Sequence, residues 1–236
     1  MAIKGAVQTL RRKGKHIVIS DSEHPAVENT VKELEKDGYT VSRIPTAGGK
    51  LDMDFARDAL TPDTILVSCM TINNETGAIY AVAGLRKLAK QLCPVAYFHT
   101  DAVQAFTKVK SFASIGTDMI SISGHKIHAP KGVGALWVKK GVRIPALIFG
   151  GGQENGLRSG TEAVPAICAF GLASQKATSS FDEDKKHIEA LNLHLRSLLE
   201  EIPSVSVNNA INGHDAHILS ISIKGIRSEI MLRFLA

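Results

Sequence analysis

The stretch Asp118-Met119-Ile120-Ser121-Ile122-Ser123-Gly124-His125-Lys126 begins as a strand and ends as a turn. Its first residues alternate β-branched and small side chains, as a buried strand does. Gly124 and Pro130 then mark where extended chain gives way to a turn. Lys126 is therefore expected to project from a rigid strand end into a cleft, beside a serine hydroxyl and an imidazole. A partly desolvated amine in such a place is nucleophilic and can form a Schiff base. Taken alone, the hexapeptide reads more simply as an exposed loop, so its neighbours must decide.

Upstream, helix and strand patterns alternate. Residues 2–10 read as a helix stopped by Gly14, with Arg11, Arg12, Lys13 and Lys15 at its solvated end, and 16–20 as a buried strand. Ser22 is a candidate cap and Pro25 a first-turn residue for a helix to about Asp37, which places His24 at a strand-to-helix junction. Strands are expected at 39–45, 64–71 and 94–100, and helices at 52–60, capped by Asp52, and 82–92. The almost unbroken apolar run 64–71 signals a sheet covered on both faces, hence parallel strands with helical crossovers. The class is α/β: a three-layer α/β/α, doubly wound, mostly parallel sheet. Ligands bind such sheets beyond the carboxyl ends of the strands. His24, Asn74, Asp101, Gln104, Ser123, His125 and Lys126 all fall just after expected strand ends.

Downstream, 134–139 reads as one more strand, and Gly150-Gly151-Gly152 opens a glycine-rich loop with neither dinucleotide-binding nor P-loop spacing. A long helical pattern from Pro165 is interrupted near Ser179 and Ser180. Short strands at 205–207 and 218–223 and a helix at 228–235 complete the chain. The expected organisation is a large domain over 1–164, a connecting helical segment over 165–203 and part of a small α+β domain over 204–236.

Bulk properties narrow the function classes. The chain has 236 residues, 44% of them hydrophobic, and a formal charge of +5 spread along its length without interleaved aromatics, which argues against nucleic-acid binding. No apolar run is long enough to span a bilayer, and a cytoplasmic protein is expected. Cys69, Cys93 and Cys168 are few, widely spaced and in apolar surroundings. They suggest neither disulfides nor a metal site, and all three are expected to be buried and inert.

A lysine, a carboxylate, an amide and a Ser/His pair on one rim match what pyridoxal phosphate requires: an amine for its aldehyde, an acid for its ring nitrogen, a group on its phenolic oxygen and donors for its phosphate. Asp101 is equally readable as the cap of a following helix. The segments Glu23-His24, Asn73-Asn74-Glu75-Thr76-Gly77, His99-Thr100-Asp101-Ala102-Val103-Gln104, Ser121 to Lys126 with Pro130-Lys131-Gly132, and Gly150 to Glu154 with Arg158-Ser159-Gly160-Thr161 resemble, in order, the motifs of cysteine desulfurases. These are class V aminotransferase-like, fold type I pyridoxal-phosphate enzymes, and selenocysteine lyases share much of the pattern.

The resemblance implies that Lys126 carries the cofactor and moves protons, and that His24 stacks on the ring and takes part in acid–base steps. It implies that Asp101 pairs with the ring nitrogen, Gln104 binds the phenolic oxygen, and Asn74 lies near that oxygen and the substrate carboxylate. Ser123 and His125 would hold the phosphate, completed by Thr161 of a second subunit in a homodimer. L-cysteine would be the substrate and a sulfur-acceptor protein a partner, in iron–sulfur cluster or thio-cofactor synthesis. None of the three cysteines matches the family's sulfur-accepting one. The substrate-carboxylate arginine and the first phosphate-binding turn also have no match, so little or no desulfurase activity is expected of this chain alone. Another class V activity, such as a selenocysteine lyase or an aminotransferase, or a non-catalytic dimerising protein, are the other readings.

Overall fold

The computed structural model describes residues 1–110, 115–209 and 212–235. Helix α1 (Ala2–Leu10) leads into β1 (His16–Ser20), then α2 (Pro25–Lys36), β2 (Thr40–Ile44), α3 (Met53–Ala59), β3 (Thr64–Ser68), α4 (Val82–Leu92), β4 (Tyr97–Asp101), β5 (Met119–Ser123) and β6 (Gly134–Val138). Two long helices follow, α5 (Val164–Ser179) and α6 (Phe181–Glu200), and then β7 (Val205–Val207), β8 (Ile221–Ile223) and α7 (Ser228–Leu235). The first six strands form one sheet in the order β2-β1-β3-β4-β5-β6. Strands β1 to β5 run parallel, and β6 returns antiparallel beside β5. β7 and β8 make a separate antiparallel pair.

Alternation along the strands sorts side chains to two faces. Ile17 and Ile19 pack with Val27, Val31 and Leu34 of α2 and with α1. Val18 and Val67 pack with α3 and with Leu85, Leu88 and Ala89 of α4. The β1–β3 pairing shifts register at Ile65, so Ile65 and Leu66 both join the α1/α2 side before Val67 turns to the other. The three layers therefore follow from the period-2 pattern of strands that are apolar on both faces.

Several local expectations change. Gly14 is not the left-handed stop of α1. It is needed because a Cβ there would lie 2.1 Å from the Asp63 carbonyl oxygen. The side-chain cap of α2 is not Ser22 but His24, whose Nδ1 accepts the Ala26 N–H at 3.1 Å. Asp52 caps α3 as expected, accepting from the Phe55 N–H. β3 ends at Ser68 rather than 71, although the buried chain beyond it still bonds alongside β4 through the Cys69 and Thr71 N–H groups.

Candidate active site

Each parallel strand of the sheet centre finishes on a polar residue: His-Ile-Val-Ile-Ser in β1, Thr-Ile-Leu-Val-Ser in β3, Tyr-Phe-His-Thr-Asp in β4 and Met-Ile-Ser-Ile-Ser in β5. Buried polar groups need partners, and these find one another. His99, 2% exposed, bridges three strands, with Nδ1 2.9 Å from Ser68 Oγ and Nε2 2.8 Å from Ser121 Oγ. Burial, aided by the N-terminal charge, pushes the His99 imidazole down to about 3, so it is a neutral dipole. Thr100 Oγ1 donates to the Cys69 carbonyl at 2.7 Å.

Beyond this polar band lies a cavity of about 430 Å³, within the range of small-molecule sites. It is lined by His24, Asn74, Asp101, Gln104, Ser123, His125 and Lys126. Seven of the eight residues expected from the sequence thus converge on one space. Thr161 does not: it is exposed in the segment after the Glu154–Gly156 turn. The sequence had identified His99 and Ser121 only as parts of motifs, yet both line the cavity. Their signal was polarity inside buried strands.

Local structure sets each group. Lys126 sits in the single 3₁₀ turn Gly124–Ile127 that follows β5, and this turn closes on His128 in the left-handed region at φ 65°. Lys126 is exposed, so the expected desolvation is not met in this chain. Ser123 Oγ lies 2.7 Å from His125 Nδ1, two residues apart across the start of that turn. Asp101 is not a helix cap. Its Oδ1 accepts the Val103 N–H at 2.9 Å in a local turn, and turns rather than a helix follow. Burial raises the Asp101 carboxyl above the ordinary range, opposed by the Val103 N–H and the His24 imidazole. Because Nδ1 of His24 is an acceptor, the neutral imidazole carries its proton on Nε2.

Two rim loops are stapled together. Asn73, buried, accepts at Oδ1 from the N–H groups of Glu75 and Thr76 and from the Thr76 hydroxyl, shaping the turn that presents Asn74. Its Nδ2 donates to the Ser22 carbonyl at 3.1 Å, beside His24. Glu23 Oε1 accepts from Ser20 Oγ and from the Met70 N–H, each at 2.7 Å. Burial drives the Glu23 carboxyl up to about 7 against those hydrogen bonds.

The donor set fits pyridoxal phosphate. A buried carboxyl with a raised pKa gains most from a cationic partner, as a protonated ring nitrogen would be. Hydroxyl and imidazole groups suit a phosphate, and the lysine stands on the same rim. A larger cavity of about 520 Å³, between α6 and residues 212–217, is lined instead by ion-paired side chains such as Lys110 and Asp182. Of the cysteines, Cys69 and Cys93 are buried, and burial raises both thiols. Cys168 is exposed on α5, contrary to expectation, because this helix turns only Phe170 fully into the core. None of the three lines the 430 Å³ cavity. No helix among the described residues is long and apolar enough to cross a membrane, and these residues contain no metal-binding cluster.

Comparison with known proteins finds relatives over almost the whole chain. Residues 1–236 match the family described as Aminotransferase class-V. The chain is 37% identical over 236 residues to the cysteine desulfurase IscS of Mannheimia succiniciproducens, covering 98% of this chain and 58% of that protein. It is 41% identical over 234 residues to a cysteine desulfurase of Trichormus azollae, with the same coverages, 98% and 58%. Among solved structures, a NifS-like protein superposes with a TM-score of 0.95 at 34% identity, over 99% of this chain and 65% of that one. DndA from Streptomyces lividans gives 0.89 at 34% identity, over 99% and 67%. The chain spans somewhat over half the length of the curated relatives it matches.

Proposed function

The chain belongs to the class-V aminotransferase family, a pyridoxal-phosphate-dependent family, and from that premise we propose that it serves as a cysteine desulfurase, converting L-cysteine to L-alanine with transfer of sulfur to a cysteine thiol. The observation that carries the reading is the convergence of Lys126, Asp101, Gln104, His24 and the Ser123/His125 pair on one cavity at the strand ends.

When bound there, the cofactor supplies an aldehyde for amine chemistry and an electron sink for charge at the substrate α-carbon. Lys126 would be the amine that holds it and the base that moves a proton at the substrate α-carbon. Asp101 would pair with the ring nitrogen and keep it protonated, because two opposite charges together offset the burial that raises the carboxyl on its own. His24 covers the cavity from the start of α2, with Nε2–H available for proton transfer. Ser123 and His125 would bind the phosphate and Gln104 the phenolic oxygen, with Asn74 near that oxygen and the substrate carboxylate.

A homodimer completes the site in this reading. Thr161 is exposed, as are Phe149, 83% exposed, and Val164, 59% exposed, apolar surface suited to a second copy that would receive Thr161 at its phosphate. L-cysteine is the substrate and a sulfur-acceptor protein the downstream partner. The large domain over 1–164, the helical connection over 165–203 and the small-domain segment over 204–236 remain our division of the chain.

The test is to incubate the purified chain with pyridoxal phosphate and cysteine. An absorbance band near the visible edge, lost in Lys126→Ala, is expected. Alanine and sulfide are expected only at low turnover from this chain by itself, since none of its cysteines lines the cavity. Turnover at an ordinary enzyme rate would overturn that expectation, a keto acid product would point to an aminotransferase, and the absence of any band would leave a non-catalytic fold.

A further inference from the structure

We propose that Lys108 is a positioning residue that fixes which end of the Gln104 amide faces the cavity. The inference rests on the cofactor assignment above only for what that amide then binds.

Gln104 lines the strand-end cavity, while Lys108, one residue type with donors and no acceptor, stands behind it. Lys108 Nζ lies 3.0 Å from Gln104 Oε1. The two ends of a glutamine amide are nearly alike in shape, and only hydrogen-bond partners distinguish them. An ammonium can meet the oxygen and not the NH₂ group. Lys108 therefore holds the carbonyl on the outer side and leaves Nε2, with its two hydrogens, for the cavity. A donor at this point is what a phenolic oxygen requires; the flipped amide would present an acceptor and repel it.

The surroundings restrict the Lys108 side chain. Lys108 is half-buried and lines both the 520 Å³ cavity and a smaller one of about 240 Å³ with His128, Phe181 and His217. Burial lowers its pKa, Lys126 lowers it further, and Asp215 acts the other way. The residues from Ala102 to Val109 form successive tight turns, in which Val109 N–H reaches the Ala105 carbonyl at 3.0 Å. Gln104 and Lys108 lie four residues apart within these turns and meet directly, so the pairing is local and does not depend on a distant element.

The experiment compares Lys108→Met and Lys108→Arg in the full chain, with thermal melts to establish folding. Arginine is also donor-only and should preserve the orientation. The first readout needs no cofactor: the Gln104 side-chain amide resonance in ¹⁵N NMR should move in Lys108→Met and return toward its original position in Lys108→Arg. The second is the dissociation constant for pyridoxal phosphate, expected to rise roughly three- to tenfold in Lys108→Met, the effect of one hydrogen bond, and less than twofold in Lys108→Arg. In a Gln104→Ala background the Lys108→Met effect should vanish, as it must if Lys108 acts through Gln104. An unmoved amide resonance in a folded Lys108→Met chain would overturn the proposal, as would an undiminished effect in the Gln104→Ala background. If the unsubstituted chain forms no absorbance band, the cofactor assignment fails, and the amide resonance still decides the role of Lys108.

Discussion

The carboxyl of Glu23 and the backbone N–H of Met70 meet at 2.7 Å, joining the turn that carries His24 to the exit of β3. The joint lies inside the protein, where Glu23 Oε2 has no hydrogen-bond partner. One carboxyl thus fixes a rim group while carrying an unfavourable burial of its own.

Replacing Glu23 by Gln should preserve the joint and remove its pH dependence. The folded carboxyl titrates near 7, above its ordinary 4.5, so the native state holds the proton more tightly than the unfolded chain. Stability from this group is full below about pH 4.5 and is lost as the pH rises through 7, by roughly 3 kcal/mol at most. Urea melts of Glu23→Gln and the parent at pH 5 and pH 8 should show the variant gaining relative stability at the higher pH. An equal difference at both pH values would contradict this.

His99 should show the opposite sign. Its pKa is depressed, so its contribution is present above the ordinary 6.5 and lost as the pH falls toward 3. In NMR titration the His99 ring should stay neutral from pH 8 to 5. His99→Leu leaves the Ser68 and Ser121 hydroxyls without their bridge and should cost about 2–4 kcal/mol. Adding Ser68→Ala and Ser121→Ala to that variant should recover part of the loss in a chemical melt.

Asn73→Ala removes three accepted hydrogen bonds and two donated, to the Ser22 carbonyl and to Met70 Sδ. A loss of about 2–4 kcal/mol is expected, with faster amide exchange at Glu75 and Thr76. Asn73→Asp keeps the acceptor and loses the two bonds donated to Ser22 and Met70, so its effect should be intermediate. Equal effects of Ala and Asp would show that the donated bonds alone matter.

Gly14 and Gly132 should respond differently to alanine. At Gly14 the new Cβ would overlap the Asp63 carbonyl at 2.1 Å, whereas at Gly132, with φ 87°, nothing lies within 4 Å. Gly14→Ala should therefore cost more than about 3 kcal/mol or prevent folding. Gly132→Ala should cost only about 1–2 kcal/mol of backbone strain. Comparable melting temperatures for the two variants would refute the distinction.

Much of the fold was legible because strand and helix periodicities are local properties. The run 64–71 announced a sheet covered on both faces, and Asp52, three residues before Phe55, announced its helix cap. Ser22 and Gly14 misled for one reason: each satisfied a local rule, while a tertiary partner set its role. Ser22 Oγ is engaged 2.8 Å from Tyr80 Oη, and Gly14 lies against Asp63. Cys168 misled because an apolar neighbourhood in sequence does not say which way a helix faces.

By itself the sequence determined the three-layer parallel architecture and the set of rim residues, since strand ends can be read from where apolar runs stop. It also carried the motif order that points to the cofactor. Only the tertiary structure decided which polar groups answer one another across strands: His99 between Ser68 and Ser121, Glu23 on Met70, and Asn73 on Ser22. Those pairings depend on register and loop closure between segments as many as 51 residues apart, and no local pattern encodes such distances.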